Sequence, residues 1–346
     1  MTRDSQTLWG RATPLASPAE LRAALPASPR AVSTVKHARA AIREALRGRD
    51  PRLVAVVGPC SIHDPHAALE YAHRLAEQAR RLDGSLIVVM RTYLEKSRSG
   101  AGWKGLVNDP DLDGSGDIAA GLARARRLLC AVNDLGLPCA LELVDPLAAR
   151  YLADLVSWAA VGARSVQSQP HRELASGAPL PVGLKNTTCG DLASACEAIA
   201  SARRPQRFLG VDENGRTAVL ESSGNPDAHL VLRGGASGPN YGAAHLRAAA
   251  ERLRGDGLAR PILVDCSHDN SGRDPQQQAA VCRAVLAAVG AGQREILGFM
   301  LESSLLPGRQ ELRPGRLEYG VSVTDGCIGW EETEALLAEA ARAVAR

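Results

Sequence analysis

Residues 53–91 read LVAVVGPCSIHDPHAALEYAHRLAEQARRLDGSLIVVMR, and this stretch decides the fold. Leu53–Val57 is an unbroken apolar run of strand length, and Leu86–Met90 is another. Between them Pro65–Leu82 carries apolar residues at helical spacing. Two apolar strands joined by a helix of that length form a parallel β/α/β unit, buried on both faces of the sheet. The first turn, VVGPCSIHDP, is not the glycine-rich phosphate loop expected of an open doubly wound sheet.

The same unit recurs along the chain. Strand-like runs follow at Cys139–Val144, Ala163–Val166, Val182–Leu184, Leu230–Leu232, Ile262–Val264 and Ile296–Leu301. Amphipathic helices are predicted over 117–135, 147–158, 191–202, 242–254, 274–289 and 331–345. A polar group stands at or just beyond each strand end: Cys60, Arg91, Glu142, Arg164, Lys185, Arg233, His268 and Glu302. That repetition predicts an α/β fold, a (β/α)8 TIM barrel with its working face at the strand C-termini.

Additions flank the barrel. Residues 1–48 are read as an N-terminal arm and helix, with the helix opened by a Ser33 cap and closed near Gly48. Residues 49–346 form the barrel domain. Asn214-Gly215 between two short strand signals predicts a β-hairpin inserted before the sixth strand, over about 206–223.

Bulk properties narrow the function class. The 346 residues carry a net charge of +3, without the broad basic field that nucleic-acid binding needs. The eight cysteines form no CxxC pair, and six fall in predicted core elements, as in a reduced compartment. Neither a signal peptide nor a membrane-length apolar run is legible, so a cytoplasmic protein without membrane or nucleic-acid partners is expected.

Two constellations carry chemistry. Barrel closure makes strands one and eight neighbours and brings Cys60, His268, Glu302 and Asp325 to one rim. A thiolate, an imidazole and two carboxylates suit one divalent ion of intermediate softness (Mn, Fe, Co or Zn). Arg91, Lys96, Arg98, Lys104, Arg164, Lys185 and Arg233 cluster after strands two, four, five and six. So many local cations imply at least two anionic groups and more than one anionic substrate. Gly234 and Gly235 are expected to let a ligand approach the backbone closely.

VVGPCSIHDP (56–65), GWKGLVNDP (102–110), SQPHRELASG (168–177), LRGGASGPNY (232–241), VDCSHDNS (264–271) and TDGCIGWE (324–331) strongly resemble the type I 3-deoxy-D-arabino-heptulosonate 7-phosphate (DAHP) synthases. The likeness runs over residues 33–345 in order. It implies condensation of phosphoenolpyruvate (PEP) with erythrose 4-phosphate, the first step of the aromatic (shikimate) pathway, with release of phosphate. It implies Cys60, His268, Glu302 and Asp325 as ligands of one divalent metal. Arg91 and Lys185 would surround the PEP carboxylate, and Arg164 and Arg233 the PEP phosphate. Lys96, Arg98 and Ser99 would face the aldose phosphate, with Lys104 and Glu142 completing the rim. Cys60, Lys96, Lys185 and His268 are the candidate catalytic residues, with Lys185 or the His268 region as proton relay. A homodimer or homotetramer is implied.

Three positions depart from the family pattern. Lys96-Ser97-Arg98-Ser99 followed by Gly100 stands where Lys-Pro-Arg-Thr is usual, which loosens the acceptor loop. Gln167 replaces a glutamate, and Lys185-Asn186-Thr187-Thr188-Cys189 replaces Lys-Asn-Gly-Thr-Asp. The favoured reading is a DAHP synthase with tolerated drift, as in a second copy serving a secondary pathway. The alternatives are the same PEP chemistry on another phosphorylated aldose, or a metal-dependent aldolase on the same barrel. Ala149 and Pro179 stand where the phenylalanine-sensitive type has proline and serine, so weakened phenylalanine feedback is expected.

Overall fold

A computed structural model describes residues 5–8, 10–98, 100–258, 261–313 and 315–345. Eight parallel strands close into a barrel: β1 Leu53–Gly58, β2 Leu86–Arg91, β3 Cys139–Glu142, β4 Trp158–Val161, β5 Val182–Lys185, β6 His229–Leu232, β7 Ile262–Asp265 and β8 Ile296–Glu302. Each pairs with its sequence neighbours, and β8 pairs with β1 to complete the ring. The helices that follow are α1 Pro65–Arg81, α2 Ile118–Asp134, α3 Ala148–Leu152, α4 Gln169–Gly177, α5 Ala193–Ala202, α6 Ala243–Gly255, α7 Gln277–Gly290 and α8 Trp330–Val344.

Strand parity explains the layering. Leu53, Ala55 and Val57 of β1 pack outward with the helices, while Val54 and Val56 point into the barrel. Ile87 and Val89, Ala140, Trp158 and Ala160, Val231, Leu263 and Met300 continue that inner layer. With a side-chain period of two, the next inward positions are Arg91, Glu142, Lys185, Arg233, Asp265 and Glu302. The fold therefore aims one polar group from each of six strand ends into the barrel mouth.

At the opposite end a helix over Pro29–Leu46 closes the barrel floor, its Ile42, Ala45 and Leu46 joining the inner layer. Its cap is Ser28 rather than the expected Ser33: the Ser28 hydroxyl accepts from the Ala31 amide at 3.0 Å. Pro29 occupies the first turn, where its missing N–H costs nothing. Ahead of it lie a short hairpin (Ser5–Thr7 with Gly10–Ala12) and a helix over Pro18–Ala24. The inserted hairpin pairs Gln206–Val211 with Thr217–Ser222 about the Asn214-Gly215 turn, as expected.

The fourth unit differs from the sequence reading. The predicted helix over 147–158 stops at Leu152 and tightens into a 3-10 turn over Ala153–Leu155. The strand is Trp158–Val161, not 163–166. All four of its residues are buried, so no polar alternation marks it, and two alanines in four residues mimic helix. The short helix α4 was not expected: its nine residues, QPHRELASG, offer only Leu174 and Ala175 as aliphatic members.

Candidate active site

The barrel mouth opens into a cavity of about 270 Å³ lined by Arg91, Lys96, Arg98, Glu142, Arg164, Lys185, Arg233, His268 and Asp325, among others. Nine residues expected from the sequence thus meet in one chamber. Cys60 and Glu302 lie buried beneath it. Lys104 is exposed on the returning limb of the β2 loop and is not among the lining residues. Ser99 falls outside the described residues.

One side of the chamber is rich in soft and anionic donors. Ligand atoms of Cys60, Glu302 and Asp325 all lie within 4.8 Å of one another, and the His268 imidazole Nε2 is 3.8 Å from Glu302 Oε1. The Lys96 ammonium already sits among them, donating to Cys60 Sγ at 3.0 Å and Asp325 Oδ2 at 2.7 Å. A donor set that draws in a cation, with one sulfur, one nitrogen and carboxylate oxygens, fits a divalent transition metal better than calcium or magnesium. Burial and the Glu302 charge push the Cys60 thiol up to about 11, against the pull of Lys96. Burial also works to raise Asp325, but Lys96 and His268 hold it well below the usual carboxylate range.

The other side is cationic. Arg91 is fully buried and reaches Glu302 Oε1 at 2.7 Å, with further bonds to the carbonyls of Pro59 and Cys60. Its guanidinium stacks 3.7 Å over the Tyr93 ring. Lys185 Nζ donates to Asp265 Oδ2 at 2.9 Å, and His268 Nδ1 lies 3.0 Å from the same oxygen. Burial works to raise Asp265, yet His268 and Lys185 hold it well below the ordinary carboxylate range. Arg233 is ion-paired with Asp269, which also accepts from Arg273. Arg164 stands in the exposed turn after β4, reaching the chamber from the loop rather than from a strand.

Asp265 and Asp269 are the main residues the sequence reading passed over. Asp265 orients both Lys185 and His268 from the end of β7. An acid closing the apolar run ILVD was the available signal.

Gly234 and Gly235 are required by the packing of neighbouring loops. A Cβ at Gly234, where φ is 73°, would lie 2.5 Å from the Asn270 amide nitrogen. One at Gly235 would lie 2.3 Å from the Gly190 backbone. The pair lets the loops after β5, β6 and β7 pack backbone to backbone, and Asn186, Asn240 and Asn270 stitch them together.

A closed parallel barrel with a cation-lined mouth beside a sulfur, imidazole and carboxylate cluster that could hold a metal ion defines a barrel enzyme suited to anionic substrates. The chain belongs to the DAHP synthetase I family, whose sequence model matches residues 27–338. It is 48% identical over 327 residues to the Tyr-sensitive phospho-2-dehydro-3-deoxyheptonate aldolase of Escherichia coli K12, covering 94% of this chain and 92% of that one. The Phe-sensitive enzyme of the same strain is 49% identical, covering 95% and 94%. The Trp-sensitive enzyme of Enterobacter agglomerans is 45% identical, covering 99% of both chains. The solved phospho-2-dehydro-3-deoxyheptonate aldolase of Francisella tularensis SCHU S4 superposes with a TM-score of 0.95 at 42% identity, over 96% of this chain and 98% of that one.

Proposed function

We propose that this chain condenses PEP with erythrose 4-phosphate and water to give DAHP and inorganic phosphate. The observation that carries the reading is the division of one chamber into a donor cluster (Cys60, Glu302, Asp325, with His268) and a cation set (Arg91, Arg164, Lys185, Arg233). Both reactants are anionic, and one presents an aldehyde.

In this reading Arg164 and Arg233 hold the PEP phosphate, and Arg91 and Lys185 hold its carboxylate. Two-point contacts from planar guanidiniums fix the enol plane, so that C3 faces the aldehyde carbon in near-attack geometry. As the C3–C1 bond forms, water adds at C2 and the C2–oxygen bond to phosphate breaks. The cations then stabilise the negative charge on the departing phosphate. A bound divalent ion, held by Cys60, His268, Glu302 and Asp325, supplies Lewis-acid polarisation.

Lys185 and His268 share the buried Asp265 carboxylate, which keeps a proton donor and its orienting partner together at the chamber wall. Lys96 and Arg98 face the acceptor. Manganese, iron, cobalt or zinc each match the donor set.

Of the three departures from the family pattern, the one in loop 96–100 falls on the residues read as facing the aldose phosphate, so acceptor choice is the point to test. A steady-state comparison of C3, C4 and C5 aldose phosphates is expected to favour erythrose 4-phosphate. A higher kcat/KM for another aldose phosphate would replace that acceptor.

Ala149 and Pro179 line a separate cavity of about 450 Å³ with Arg22, Leu143 and Phe208. Because these two residues replace the proline and serine of the phenylalanine-sensitive type, inhibition by phenylalanine is expected to be weak. Half-inhibition at micromolar phenylalanine would contradict this.

A further inference from the structure

The β2 loop leaves the barrel at Arg91 and returns over itself. Lys96 N donates to Lys104 O at 2.8 Å, and Val107 N donates to Leu94 O at 3.2 Å. At this crossing Gly105, with φ of 115°, presses so close that a Cβ there would lie 2.5 Å from Glu95 Cα and 2.4 Å from Leu94 O. Glu95 is therefore clamped at the base of the loop that carries Lys96 and Arg98.

The residue is 4% exposed. Its carboxylate accepts from the Asp145 amide at 3.4 Å, a long bond, and no salt bridge to it occurs among the described residues. The charged groups bearing on it are Asp145 and Glu142, both acidic, at and beyond the end of β3. Lys96, next in the chain, sends its ammonium away to Cys60 and Asp325. Lys104 is exposed on the returning limb. His171, which reaches the β3 loop, is committed to Ser168 and the Val144 carbonyl. A carboxylate buried without a cation and facing two acids is strongly disfavoured against its neutral form.

We propose that Glu95 is a positioning residue for the acceptor substrate, held as a neutral carboxylic acid under the crossing of the β2 loop, and that its ionisation loosens that loop. Burial, then the Asp145 charge, push its carboxyl up to about 8, so the change falls just above neutral pH. Once charged, Glu95 needs water or a cation, and it gains either only if the Gly105 limb lifts. Lys96 and Arg98 then lose their fixed positions, whereas the PEP-facing residues on β5, β6 and the β4 loop do not.

The inference rests on the reading of this loop as the acceptor side of a DAHP synthase. The test is the pH dependence of KM for erythrose 4-phosphate and for PEP, in wild type, Glu95→Gln and Asp145→Asn. In wild type the erythrose 4-phosphate KM should rise roughly fivefold or more between about pH 7.5 and 9, with the PEP KM flat. Glu95→Gln, which cannot ionise, should lose that rise. Asp145→Asn removes a neighbouring negative charge and should start the rise at lower pH. The second variant decides the matter where Glu95→Gln does not fold, as read by its melting midpoint. An identical rise in all three proteins, or a rise in the PEP KM alone, would overturn the role of Glu95. Failure to release phosphate from PEP and erythrose 4-phosphate at any pH would instead overturn the functional reading.

Discussion

Arg91 and Glu302 meet at 2.7 Å, and both are almost wholly buried. The pair joins the two halves of the site, since Glu302 belongs to the donor cluster and Arg91 to the cation set. It also explains how six inward-facing strand ends can be so polar: the charges are desolvated together and neutralise one another.

Removing Arg91 leaves the Glu302 carboxylate buried without its cation. Arg91→Ala is expected to destabilise the fold by roughly 3–5 kcal/mol. Urea unfolding monitored by circular dichroism measures it. A loss below about 1 kcal/mol would show that the pair is not a structural fulcrum.

Cys60 provides the one sulfur in the donor cluster. Cys60→Ala is expected to weaken divalent-metal affinity by at least about tenfold, since even outer partners of metal ligands contribute on that scale. Elemental analysis after dialysis against a weak chelator reads this directly. Wild-type metal content in the variant would remove Cys60 from the ligand set.

Asp265 makes an acid-linked prediction. Its folded-state pKa lies below its unfolded value of about 3.9. Its contribution to stability is therefore complete above about pH 4 and is lost as pH falls through the folded value. Asp265→Asn should lower stability at neutral pH by roughly 3–5 kcal/mol and flatten the acid limb of the stability curve. A curve parallel to wild type below about pH 4 would contradict the assignment.

The cation set should separate by substrate. Arg233→Ala is expected to raise the KM for PEP by roughly 10–100-fold with little change for the aldose phosphate, given the strength of a charged hydrogen bond. Arg98→Ala should do the reverse. Equal effects of both variants on both substrates would dissolve the division of the chamber.

Much of this was legible because barrel chemistry is written with a period of two. Seven of the eight apolar runs announced a strand, and the polar residue after a strand fell on the inward parity, as at Arg91, Lys185 and Glu302. Legibility failed where packing rather than pattern decides. Trp158–Val161 is buried on both faces, and its Trp158 fills space that Gly183 of the neighbouring strand leaves open, so no polar alternation marks it as a strand. Gly234 and Gly235 advertise close approach without saying to what; the answer, Asn270 and Gly190, is distant in sequence. Asp265 and Glu95 read as ordinary acids until the fold strips them of water. A pairing between side chains 80 residues apart, such as Lys185 with Asp265, leaves no local trace.

The most direct test of the whole account is phosphate release from PEP in the presence of erythrose 4-phosphate, with and without chelator. The account predicts release that depends on both substrates, stops when the metal is stripped, and returns on adding manganese, iron, cobalt or zinc. Release that is unchanged by chelator and by Cys60→Ala, or that proceeds without the aldose phosphate, would contradict it.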